Sequence, residues 1–167
     1  MDIKKIVLIS LIVVAIVASV SVVSAGLFDG LFGGEQDNII EIDGITFNTT
    51  NATDFVKIDQ ESYYNGDIEY YVSENGTGSS SAAIADFSKM SDSEVSELNQ
   101  MLLEFKKMPS QTIDGIVVCT QSGTTGDKVG QPLYNTVIRN DDLKKLVILE
   151  SDNPNETAKM ALSLKFK

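Results

Sequence analysis

Two tyrosine pairs, Tyr63-Tyr64 and Tyr70-Tyr71, flank an Asn65-Gly66 turn signal, and aromatic rings held in this way can stack on the apolar faces of sugar rings. Residues two apart share one face of a strand, so one ring of each pair points to the core and the other outward. The outward pair is a candidate ligand-stacking surface, while cross-strand packing accounts for the inward pair. The chain has no tryptophan, which weakens the carbohydrate reading.

Catalytic chemistry has little to work with. There is no histidine and a single cysteine, Cys119, so Ser-His-Asp triads, Cys-His pairs and histidine metal sites are excluded. No S-x-x-K or G-x-S-x-G pattern occurs. The loop Gly123-Thr124-Thr125-Gly126-Asp127-Lys128-Val129-Gly130 lacks the register of a phosphate-cradling loop. Carboxylates are abundant, at 24 Asp and Glu against 13 Lys and Arg, and glycoside hydrolysis needs only two at the right separation. Asp59, Glu61, Asp67, Glu69, Asp86, Asp127, Asp141 and Asp142 are candidates by abundance, and none is distinguished. The EF-hand pattern is missing, leaving Asn140-Asp141-Asp142 as a weak calcium loop at most. No catalytic, cofactor-binding or metal-ligating residue is assigned, and the expectation is a protein without catalysis.

Four sequons could accept glycans, at Asn48, Asn51, Asn75 and Asn155, each with threonine in the third position. A net charge of -11 opposes binding to nucleic acid. Cys119 lies within Ile116-Val117-Val118-Cys119 and reads as a small buried hydrophobe in a strand.

Where these residues work is set by the N-terminus. Ile6 to Ala25 carries no charge, follows Lys4 and Lys5, and as a helix reaches about 30 Å, the thickness of a bilayer core. Two readings are open: an anchor with its C-terminal side outside the cell, or a signal cleaved after Val23-Ser24-Ala25. The length favours the anchor. Residues 1–25 are thus the transmembrane or signal segment, 26–36 a juxtamembrane linker with apolar pairs at Leu27-Phe28 and Leu31-Phe32, and 37–167 one extracytoplasmic domain.

In that domain, Asp43-Gly44 between Ile39–Ile42 and Ile45–Phe47 predicts an edge hairpin, and Phe55–Ile58 a further strand. The Asn65-Gly66 signal predicts a second hairpin. Ala82–Phe87 predicts another strand, and Ser91-Asp92-Ser93-Glu94 is a capping box opening a helix from about Asp92 to Lys107. Strands follow at Thr112–Thr120, Leu133–Arg139 and Lys145–Glu150. Asn153 then caps a last helix with Pro154 in its first turn, and Ala158, Ala161, Leu162 and Leu164 are expected to face the sheet. The fold class is α+β: an antiparallel sheet with two helices packed on one face, preceded by a transmembrane helix.

The Lys-Lys-led apolar segment, GLFDGLFGG, the Ile42–Asn48 opening, Asn155–Ala161 and Leu164-Lys165-Phe166 together resemble short membrane-anchored surface proteins of methanogenic archaea. The last helix and its Leu-Lys-Phe end also look like the small antiparallel-sheet domains of the PsbP and Mog1 type. The resemblance implies a fold and a location but no catalytic residue. The functional expectation is a membrane-tethered extracytoplasmic binding or interaction module without a cofactor, whose partners are the membrane and a cell-wall polymer or another surface protein. Its rivals are an exported carboxylate-dependent hydrolase of wall polymer and a glycosylated adhesin-like protein.

Overall fold

Asp43 and Gly44 both take positive φ, at 37° and 73°, and the tight turn they make pairs β1 (Asn38–Ile42) with β2 (Ile45–Thr49). In the computed structural model, residues 38–50, 54–58, 68–75, 80–123 and 129–167 are described. The apolar segment 6–25, the linker 26–36, Asn51, Tyr63, Tyr64 and the Asn65-Gly66 signal all lie outside these residues. Among the described residues no helix is long and apolar enough to cross a membrane.

A seven-stranded antiparallel sheet forms the middle of the molecule. Its members are β3 (Asp54–Ile58), β4 (Ile68–Asn75), β5 (Ser80–Asp86), β6 (Ser110–Ile113), β7 (Ile116–Ser122), β8 (Pro132–Asn140) and β9 (Lys145–Ser151). Their spatial order is β3-β4-β5-β9-β8-β7-β6. The β1–β2 hairpin belongs to a separate three-stranded sheet, joined by β10 (Lys165–Phe166). What reads as one strand over Thr112–Thr120 is a hairpin. Asp114 and Gly115 adopt φ of 48° and 87°, and this second Asp-Gly turn folds β6 back onto β7.

Both helices start as their sequences require. Ser91 accepts from the Glu94 backbone while the Glu94 carboxylate accepts from the Ser91 backbone, opening α1 (Asp92–Phe105). The helix ends at Phe105, with Lys106 as its cap. Asn153 caps α2 (Pro154–Ser163), where Pro154 costs no hydrogen bond because its N–H would be unpaired there.

The two helices do not share a face of the sheet. Leu146 and Ile148 of β9 join Leu98, Met101 and Phe105 of α1 in one core, whereas Val147 and Leu149 join Met160 and Ala161 of α2 in another. Successive strand residues point to opposite sides, so β9 is covered on both. The expectation of helices on one face is therefore corrected to three layers: α1, the large sheet, and α2 with the small sheet. Leu162 is also corrected, being 54% exposed while Met160 is fully buried.

Candidate functional site

A groove of about 690 Å³ opens between the C-terminal half of α1 and strands β7 and β8. Its walls are apolar: Leu102, Leu103 and Phe105 from α1, Val117 from β7, and Val137 from β8. Leu103 and Val117, which line the same groove, are 55% and 54% exposed, an unusual position for large aliphatic side chains on one surface. Lys106 and Arg139 supply cations to the lining. Arg139 is held in place, its Nε donating to Asp141 at 2.7 Å and its Nη1 to Asn99 at 2.6 Å, with the guanidinium 4.7 Å from the Phe87 ring centre.

The groove exists because β7 and β8 part company. Their ladder runs from Ser122↔Pro132 to Cys119↔Asn135 and stops. One step further, the Thr136 hydroxyl donates to the Val117 carbonyl at 2.8 Å, substituting a side chain for the next backbone pairing. From Thr136 to Asn140, β8 has register partners on β9 and, among the described residues, none on β7. β7 meanwhile turns with β6 toward the Asp114-Gly115 tip.

Behind the groove lies a buried polar cluster. Cys119, which lines the groove and donates to the Phe105 carbonyl at 3.4 Å, stands opposite Asn135, and Asn135 stands opposite Glu150. Glu150 is 2% exposed and Asn135 fully buried. Burial pushes the Glu150 carboxyl up to about 8, against the Gln121 amide, which donates at 2.7 Å, and the weaker pull of the Asn135 amide. Glu150 Oε1 and both polar atoms of the Asn135 side chain lack a hydrogen-bond partner, so the Asn135 amide acts on the carboxyl from beyond hydrogen-bond geometry. Burial alone raises the Cys119 thiol, leaving it a poor nucleophile.

Of the residues singled out by sequence, Asp59, Glu61, Asp67 and Asp127 lie outside the described residues, and those described scatter. Tyr70 is 7% exposed and packs in the α1-side core, so it is a core residue and not a stacking platform. Tyr71 packs against the other core, its hydroxyl donating to Glu69 at 2.5 Å. Glu69 also pairs with Lys57, and the Lys57 bond, followed by that of Tyr71, holds its carboxyl below the usual range. Asp86 is lowered first by the Ser88 hydroxyl. Asp141 serves Arg139. Among the described residues no three acids or thiols gather as a metal site.

The sequon asparagines Asn48 and Asn155 line one shallow concavity beside α2, and Asn75 ends β4. The threonines of the Asn48 and Asn155 sequons are engaged. Thr50 donates to Glu156 at 2.5 Å, its buried neighbour Thr49 donates to the other oxygen of the same carboxylate, and Thr157 is fully buried with its hydroxyl donating to the Tyr134 carbonyl at 2.9 Å. Glu150, Asn135 and the groove went unread in the sequence. The available signal was the unbroken apolar run Leu146–Leu149, which marks a strand covered on both faces and so places its neighbour Glu150 inside.

No protein-family model matches the sequence, and no curated protein matches it either.

Proposed function

We propose that the chain is a membrane-tethered extracytoplasmic binding module, held at the cell surface by a transmembrane helix at Ile6–Ala25 and engaging another surface protein through the groove. The apolar lining with its exposed Leu103 and Val117 carries this reading, because such a patch on an acidic, soluble surface costs free energy unless something covers it. The tether rests on the uncharged run after Lys4 and Lys5 and on the resemblance to archaeal surface proteins. Catalysis has no part in this reading: of the described candidate carboxylates, Glu69 is tied to Lys57 and Asp141 to Arg139, no three acids gather as a metal site among the described residues, and Glu150 is out of a substrate's reach. Glycosylation at Asn155 would precede folding, because Thr157 of that sequon is enclosed afterwards.

The test is a photo-reactive amino acid placed at Val117 in the full chain, expressed in its native membrane and irradiated on intact cells. A discrete cross-linked surface protein is expected there, and none from the same probe at Leu162 on the opposite side of the sheet. Equal labelling at both positions, or none at either, overturns the proposal.

A further inference from the structure

We infer that the groove receives its partner as an extended peptide strand, paired to the open edge of β8, with an apolar side chain between Leu103 and Val117 and a carboxylate at Lys106 and Arg139. This rests on the binding reading above and specifies the chemistry of the partner.

Backbone direction supplies the first argument. The Thr120 N–H donates toward the β6 side, to the Pro109 carbonyl at 2.7 Å. Alternate residues of a strand turn their N–H and C=O to the same edge, so Cys119 and Val117 face β8. The Val117 carbonyl accepting from Thr136 agrees with this. Across the ladder, Asn135 faces β7, and by the same alternation so do Val137 and Arg139. Because register pairing with β7 stops at Cys119↔Asn135, these two residues turn backbone donors and acceptors toward the groove with no register partner on β7, whose Val117 is held at the groove's inner end by Thr136. A bare edge of this kind is what strand addition uses. The open stretch Thr136–Asn140 extends about 16 Å at roughly 3.3 Å per residue, room for a short strand.

Side-chain chemistry supplies the second. A strand laid on this edge presents alternate residues to the space between α1 and the sheet, where the lining is aliphatic. The groove brings two cations together on a chain of net charge -11. The exposed Lys106 ammonium makes no ion pair among the described residues, and Arg139 keeps one nitrogen, Nη2, out of its bonds to Asp141 and Asn99. An acidic residue in the peptide is attracted here and repelled by the rest of the surface.

The full chain in detergent micelles is used to select ten-residue peptides from a random display library, and the tightest is resynthesised with each backbone nitrogen methylated in turn. Methylation is expected to weaken binding at least tenfold at alternate residues and little between them. Lys106→Glu should weaken a peptide carrying a carboxylate at least tenfold, and it lies on an exposed helix end where folding is not at stake. Val137→Pro removes the edge donor and should abolish binding; circular dichroism of that variant reports whether it folds, and the methylation series decides if it does not. Uniform tolerance of methylation with loss on Lys106→Glu would overturn strand pairing while leaving the binding groove intact. Selected peptides indifferent to Lys106→Glu and to Leu103→Asp, or no peptides at all, would overturn both. Self-association lost on Leu103→Asp would assign the groove to a second copy, and saturable uptake of dodecanoate without peptide binding would assign it to lipid; either overturns the inference.

Discussion

Glu150 shows how much one residue's role depends on what covers it. In an unfolded chain its carboxyl titrates near 4.5, and in the fold near 8. Between these values the native state holds a proton that the unfolded state has released, so stability falls as pH rises through this window. The contribution is fully present below the lower value and is lost through the upper one. Glu150→Gln stays neutral throughout. We expect urea unfolding of the variant to match wild type at about pH 4 and to exceed it by a few kcal/mol at about pH 8, with the slope between them much reduced. A variant as pH-dependent as wild type would show that the group is ionised in the fold. Sequence alone gives Glu150 only as the last residue of a predicted strand and leaves open which tyrosine of each pair points to the core, for one reason. Alternation assigns a side chain to a face but does not say which faces are covered.

Elements were more legible than faces. The capping box, the Asn153-Pro154 helix start and the Asp43-Gly44 turn are local hydrogen-bond and φ requirements, satisfied within a few residues of chain, and each appears where its residues demand. The Asp114-Gly115 turn carried the same signal but sat inside an apolar run that reads as one strand. Helix register was harder to read because α2 buries small and polar residues as well as apolar ones. Glu156, Thr157, Ala158, Met160 and Ala161 line its inner arc. Leu162 follows Ala161 by about 100° of rotation and falls outside it. Leu162→Asp should therefore change stability by less than about 0.5 kcal/mol, while Met160→Ala should cost about 2–5 kcal/mol, read from denaturant midpoints. The reverse order would place the helix in the register that its apolar residues alone suggest.

At the scale of the molecule, the apolar run Leu146–Leu149 organises the rest. A strand buried on both sides needs a layer over each, and α1 can supply only one. The other is assembled from α2 and the β1–β2–β10 sheet, distant in sequence and brought together partly by Glu156, whose carboxylate accepts from the Thr49 and Thr50 hydroxyls. That long-range closure left no local mark in the sequence. It has a thermodynamic consequence, because two cores sharing one central strand should melt together. Ile148 belongs to the α1 side and Leu149 to the α2 side, although they are adjacent in the chain. Each truncated to alanine should lose about 2–5 kcal/mol, a large part of the roughly 5–15 kcal/mol typical of a domain. Hydrogen exchange in Ile148→Ala should then accelerate equally in α1 and in α2, and Leu149→Ala should give the same pattern. Acceleration confined to the helix on the mutated side would mean that the layers unfold independently and that β9 does not couple them.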